Sequence, residues 1–205
     1  MAKVVVFLAT GFEEIEAISP IDYLRRAGVE VQTAAVPVDG KSDLLVQGAH
    51  GITVQADISL DEFMANCKDL PDGVFVPGGM PGAANVGACE LAVDFIKKMF
   101  EQKKLVSAIC AAPVVVLGKT GVLRNKNYTC YPGMKKFADY CGGQEKADQL
   151  TAGANLVPDQ PFVVDQNLIT GRGPGAAEQF AMALVEYLCG KEKAQEIKIR
   201  SVQRQ

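Results

Sequence analysis

The sequence predicts a doubly wound α/β fold: a mainly parallel sheet with helices on both faces. Three observations predict it. Short apolar runs that suit buried strands recur along the chain. Stretches of helical apolar spacing separate them, the alternation that gives parallel sheets covered on both sides. No repeat, low-complexity run or linker interrupts the 205 residues, so one domain is expected over residues 1–205.

Residues 4–9 are continuously apolar and predict the first strand. Ile15, Ile18, Ile21 and Leu24 then recur at three-residue spacing and predict a helix. It ends at Arg25-Arg26-Ala27-Gly28, a cationic last turn followed by glycine. Pro20 within it marks a first turn or a kink. Residues 29–34 predict the second strand. Residues 44–47 and 52–55, joined by Gly48-Ala49-His50-Gly51, predict a hairpin. Residues 73–76 predict a short buried strand, and Leu91, Phe95, Met99 and Phe100 a long helix ending near Lys104. Residues 105–109 predict another buried strand, and 112–119 a helix with Pro113 in its tolerant first turn. Residues 162–164 and 168–170 flank Asp165-Gln166-Asn167 as a second hairpin. Residues 176–189 predict an amphipathic helix stopped by Gly190.

Composition removes several function classes. Hydrophobic residues make up 48% and charged residues 22%, the balance of a soluble globule with a full core. A net charge of −3 provides no basic face for nucleic acid. No apolar run approaches the ~20 residues of a membrane span. The apolar run near the N-terminus lacks a small-residue cleavage site, so no signal peptide is expected. The six cysteines (Cys67, Cys89, Cys110, Cys130, Cys141 and Cys189) form no CxxC pair and match neither a zinc site nor a disulfide scaffold. A cytoplasmic location with free thiols is expected. His50 is the one histidine, which leaves no His-rich metal site. No metal and no cofactor are expected.

In doubly wound sheets ligands bind beyond the carboxyl ends of the strands. Those ends carry Thr10-Gly11-Phe12-Glu13-Glu14-Ile15-Glu16, Pro77-Gly78-Gly79-Met80-Pro81-Gly82, Cys110-Ala111-Ala112-Pro113 and Gly171-Arg172-Gly173-Pro174-Gly175. Carboxylates, a glycine loop, a thiol and an arginine therefore converge on one rim. Cys110, between a strand and a helix start and among small neighbours, is placed as a nucleophile on a sharp elbow. The helix N-terminus would favour its thiolate, with a pKa well below the ~8.5 of free cysteine, about 5–6. Its alternative is one more buried cysteine. Glu16, one turn into the first helix, would be either a protonated partner that hydrogen-bonds sulfur or, as Glu13 and Glu14 read, a complement to the helix dipole. Gly78 and Gly79 would offer N–H groups to an oxyanion, or simply make a tight turn. With Pro81 breaking the spacing and no helix opening correctly, that loop is not a dinucleotide loop, and no Walker lysine is present. Arg172 reads as an anion ligand or a structural ion pair, and His50 as a turn residue or the edge of the site.

These motifs together resemble the DJ-1/ThiJ/PfpI superfamily, specifically its DJ-1 branch. The resemblance rests on Gly-Phe-Glu-Glu-Ile-Glu-Ala at 11–17 and Asp22-Tyr23-Leu24-Arg25-Arg26-Ala27-Gly28. Val76-Pro77-Gly78-Gly79, Ala108-Ile109-Cys110-Ala111-Ala112-Pro113 and Arg172-Gly173-Pro174-Gly175 complete it. It runs from residue 3 to about 195. It implies a flavodoxin-like fold, similar to class I glutamine amidotransferases, and a homodimer. It implies that Cys110 is the nucleophile and Glu16 its protonated partner, with the N–H groups of Gly78, Gly79 and Ala111 binding an oxyanion. Arg26 falls at a dimer-contact arginine, and His50 where the DJ-1 branch has a site-edge arginine reached across the dimer. Arg172 keeps the arginine of the last motif. Ala111 replaces the histidine that follows the cysteine in protease and chaperone branches, and Tyr131 replaces the histidine near the DJ-1 cysteine. A Cys-His protease is therefore disfavoured. The resemblance implies a glutathione-independent glyoxalase or deglycase acting on small α-oxoaldehydes without a cofactor. An alternative is a redox sensor in which Cys110 becomes a sulfinate. A third and weaker association, thiazole biosynthesis for thiamine, finds no phosphate loop here.

Overall fold

The computed structural model describes residues 1–41, 43–133 and 138–203. The strands are β1 (Lys3–Leu8), β2 (Glu30–Ala35), β3 (Leu45–Gln47), β4 (Thr53–Gln55), β5 (Ile58–Ser59), β6 (Gly73–Val76), β7 (Leu105–Ile109), β8 (Asn127–Tyr128), β9 (Asn155–Leu156), β10 (Phe162–Asp165) and β11 (Leu168–Gly171). The helices are α1 (Glu14–Arg26), α2 (Leu60–Asn66), α3 (Gly82–Ala88), α4 (Glu90–Glu101), α5 (Gly118–Thr120), α6 (Ala138–Cys141), α7 (Gln144–Leu150), α8 (Ala177–Cys189) and α9 (Lys191–Arg200). A π-helical turn, Pro113–Leu117, leads into α5.

Seven strands form one sheet in the order β10-β11-β7-β6-β1-β2-β5. All pair in parallel except the β10–β11 hairpin. Buried β1, β6, β7 and β11 are near-continuous apolar runs, as a sheet covered on both faces requires. Helices α1, α8 and α9 pack on one another, while α3, α4 and the π turn form a second group. This is the predicted flavodoxin-like architecture. From β1 the sheet grows one way through β2 and β5 and the other way through β6 and β7. That reversal opens a crevice beyond the carboxyl ends of β1 and β6, where an α/β sheet places its ligand.

Helix α1 runs unbroken through Pro20. Its buried side is Glu14, Glu16, Ala17, Pro20, Ile21 and Leu24, whereas Ile15 and Ile18 are exposed. The three-residue spacing thus joined two faces, because a helix advances by about 3.6 residues per turn. The predicted helix over 112–119 is a wider π-helical turn followed by three α-helical residues. Gly190 does close α8, but α9 starts at once on its far side. A helix also opens behind the glycine loop at Gly82, contrary to expectation. Its first N–H donates to the carbonyl of Gly11 at 3.1 Å, so that end is occupied by the chain itself.

Candidate active site

Four strand ends build the site. The chain leaves β7 at Cys110, whose φ of 65° is left-handed, a conformation that costs a non-glycine residue about 1–3 kcal/mol. Backbone bonds on both sides enforce the elbow. The Cys110 N–H donates to the carbonyl of Gly171 on β11, and the Cys110 carbonyl accepts from the Tyr131 N–H, each at 2.9 Å. The sulfur accepts from the N–H groups of Gly79 and Ala111 and is hydrogen-bonded to the Glu16 carboxyl.

Glu16 is fully buried in the first turn of α1. Its Oε2 accepts the Gly78 N–H at 3.0 Å. Its Oε1 is buried without a hydrogen-bond partner among the described residues. A carboxylate in that position would be costly, and a neutral carboxyl much less so. Burial, reinforced by the nearby Glu13, pushes the carboxyl up to about 8, against the hydrogen bonds from Cys110 and Gly78.

Cys110 shifts in the direction opposite to the expected acidic thiol. Burial raises it, a charged Glu16 raises it further, and the Gly79 and Ala111 N–H groups pull it down. The reason is the depth of the elbow: the sulfur sits among buried residues at a short π turn rather than at an open helix end. Two of the upward influences exist only while Glu16 is ionised. Once Glu16 holds the proton, its charge is gone and its O–H donates to sulfur.

Gly78 and Gly79 differ in role. A Cβ on Gly78 would lie 2.5 Å from both the Cys110 Cβ and Glu16 Oε2, so only glycine lets thiol and carboxyl meet there. Its N–H is committed to Glu16, which removes it from the expected oxyanion set. Gly79 has a φ of 86° and abuts the Glu13 backbone, and its N–H is aimed at sulfur. Ala111 contributes the second N–H at sulfur.

The outlying residues divide. Tyr131 is half-buried beside Cys110, its ring 3.3 Å from where a Gly173 side chain would begin. Arg172 lies 3.7 Å from the exposed Asp159, and its Nε is buried without a partner among the described residues. Its motif touches the site through Gly173 instead, 4.0 Å from Glu16 Oε1 at the position of a missing Cβ. Arg26 pairs with Asp22 at 2.6 Å on α1, away from the thiol. His50 is 70% exposed and bonds Glu14 through its ring (Nδ1 to Oε2, 2.8 Å) and its backbone N–H (to Oε1, 2.7 Å). Glu14 is thus more than a complement to the helix dipole: it clamps the loop between β3 and β4. Glu13 is the N-cap of α1, accepting the Glu16 N–H at 2.7 Å. Glu13 and Glu16 stand at the spacing of a capping box, but with glutamate where such a box has serine or threonine. Glu13, Glu14 and His50 offer ligand-type atoms within 4.8 Å of one another, but all three are already engaged as described.

A model of the DJ-1/PfpI family matches residues 2–187. The chain belongs to the DJ-1/PfpI family. It is 38% identical over 192 residues to the Drosophila melanogaster protein dj-1beta, covering 94% of this chain and 92% of that one. The crystal structure of Drosophila DJ-1beta superposes with a TM-score of 0.85 at 36% identity, over 100% of this chain and 99% of that chain. The chain is 35% identical to the Arabidopsis thaliana protein DJ-1 homolog B over 95% of its own length, but spans only 40% of that relative. Two DJ-1/PfpI relatives bear activities in their names. One is a deglycase of Pyrococcus abyssi, 34% identical over 84% of this chain and 91% of that one. The other is the glutathione-independent glyoxalase DJ-1 of Schizosaccharomyces pombe, 30% identical over 94% of each. Among the described residues no helix is long and apolar enough to cross a membrane.

Proposed function

We propose that this chain is a cysteine-dependent enzyme acting on small α-oxoaldehydes, of the glyoxalase or deglycase type. One observation carries the reading: a fully buried glutamate is hydrogen-bonded to the elbow cysteine, an arrangement in which a proton can pass between carboxyl and thiol. The names of the Pyrococcus and Schizosaccharomyces relatives agree with it.

With methylglyoxal, the Cys110 thiolate adds to the aldehyde carbon and forms a C–S bond. The carbonyl π electrons move to oxygen. The Gly79 and Ala111 N–H groups stabilise that oxyanion as it forms, and the Glu16 proton then passes to it, giving a hemithioacetal. Glu16, now a carboxylate, removes the proton from the same carbon to give an enediol, the hydroxyl proton passes to the former ketone oxygen, and Glu16 returns the carbon proton to the neighbouring carbon. The first carbon is oxidised to a thioester and the second reduced to an alcohol, so no external electrons are needed. Water cleaves the thioester, releasing lactate and the thiol. Tyr131 walls the site and His50 stands outside Glu14, at its edge.

Methylglyoxal turnover to lactate tests this directly. Wild type should turn over, Cys110→Ser should not, and Glu16→Gln should lose most of kcat. Activity should decline above about pH 8 as Glu16 gives up its proton. Lactate production by wild type no faster than by Cys110→Ser ends the enzymatic reading.

A redox role is the second reading, favoured by the same two N–H groups and the Glu16 hydrogen bond, which suit a sulfinate at Cys110. Peroxide that modifies another cysteine before Cys110 excludes it. A homodimer is part of the proposal. Ile15 and Ile18 on α1 and Leu45 and Ile52 beside the His50 loop are 42–60% exposed, an apolar surface that a second copy would cover.

A further inference from the structure

We infer that Glu13 is a positioning residue: its carboxylate seats Glu16 and biases the proton of the Glu16–Cys110 pair toward the carboxyl, leaving the negative charge on sulfur. The inference rests on the reading that this pair shares a proton, and it adds a residue outside the thiol–carboxyl contact itself.

Geometry comes first. Glu13 is buried, and its Oε2 accepts the backbone N–H of Glu16 at 2.7 Å, which sets the first turn of α1. The Glu13 N–H donates to the carbonyl of Gly78 at 3.0 Å, tying the glycine loop to the same point. One residue therefore holds the helix that carries Glu16 and the loop whose N–H Glu16 accepts.

The charge acts unevenly. Glu13 raises Glu16, and its carboxylate is bonded to the N–H of Glu16 itself at 2.7 Å, whereas the groups bonded to the Cys110 sulfur are Gly79, Ala111 and Glu16. A fixed negative charge that disfavours an ionised Glu16 more than an ionised Cys110 moves the shared proton onto the carboxyl. The other groups around the pair do not supply this bias. Glu14 is paired with His50, and Arg172 lies near Asp159. Tyr131 meets the site through its backbone bond to Cys110 and its contact with Gly173. His50 opposes the bias: as it gains a proton, its cation offsets Glu13, so the effect is fullest above the His50 pKa.

Two substitutions separate charge from shape. Glu13→Gln keeps an acceptor for the cap and removes the charge. Glu13→Asp keeps the charge on a shorter arm. The readout is the pH dependence of iodoacetamide alkylation at Cys110, mapped by mass, which needs no substrate. Glu13→Gln should lower the thiolate-to-thiol ratio of Cys110 near neutrality about tenfold, one pH unit of bias. Glu13→Asp should stay within about threefold of wild type. Turnover of methylglyoxal by Glu13→Gln should fall in kcat with little change in KM. A Glu13→Gln thiol that titrates like wild type overturns the inference, as does a Glu13→Asp that shifts as far as Glu13→Gln. Failure of wild type to turn over methylglyoxal would instead remove the enzymatic reading and leave this titration result standing on its own.

Discussion

In the proposed enzyme, Cys110 is reactive or inert according to where one proton sits. Burial alone would make it an ordinary core cysteine, as it does Cys130, which burial pushes up to about 12. The difference is Glu16. Its carboxyl holds a proton more tightly in the folded chain, to about 8, than in an unfolded one, near 4.5. A raised folded pKa contributes stability that is complete below pH 4.5 and is lost as pH rises through about 8. Glu16→Gln should therefore gain about 1–3 kcal/mol relative to wild type above pH 8, and almost nothing near pH 5. Urea unfolding at the two pH values reads this, and equal differences at both would contradict it. Gly78 is a second residue-scale test. Gly78→Ala places a Cβ 2.5 Å from the Cys110 Cβ and Glu16 Oε2. It should cost about 1–3 kcal/mol of stability through overpacking and slow Cys110 alkylation, where alanine at the unobstructed Gly175 should do neither.

At the scale of elements, the loop joining β3 to β4 is held by Glu14. Burial raises this carboxyl, but the bonds from the His50 ring and the His50 and Ile52 N–H groups outweigh it and hold Glu14 below the usual carboxylate range. His50 is raised by the same pair. Glu14 supports the clamp above its lowered pKa and loses it as pH falls; His50 supports it below its raised pKa and loses it as pH rises. Amide exchange in the hairpin, corrected for intrinsic rates, should be slowest at mildly acidic pH. Glu14→Ala should abolish that minimum. The hairpin itself was legible in sequence, because its strands and the Gly48–Gly51 turn are adjacent along the chain. Its clamp was not: Glu14 and His50 are separated by 36 positions. The buried strands β1, β2, β6, β7 and β11 were legible to within one residue, since strands covered on both faces are largely apolar, whereas the two-residue β5 was not. Short α2, α3, α6 and α7 and the polar α9 were missed. Few residues or a weak apolar stripe leave such helices dependent on packing for their definition.

For the whole molecule, the uncovered apolar surface of α1 and the β3–β4 loop sets the expectation. Light scattering should give a mass about twice the 21.9 kDa of the chain. Ile18→Glu should shift it toward the monomer, because it places a charge in the middle of that face. A wild-type monomer at micromolar concentration would remove the dimer from the proposal. Arg26 stands on the same helix but spends its guanidinium on Asp22, so Arg26→Ala should weaken association less than Ile18→Glu.

The sequence by itself determined the alternation of strands and helices, the strand ends on which the candidate residues sit, and the motifs of the DJ-1/PfpI family. These are local facts, written in apolar runs and in residue types at fixed spacings. Only the tertiary structure decided what those residues do to one another. It put Ile15 and Ile18 outside, gave the Gly78 N–H to Glu16 rather than to an oxyanion, and turned the expected acidic thiol into one raised by burial. The reason is physical. Proton affinity depends on desolvation and on charges a few ångströms away, and both are set by folding segments 16, 78 and 110 into one crevice.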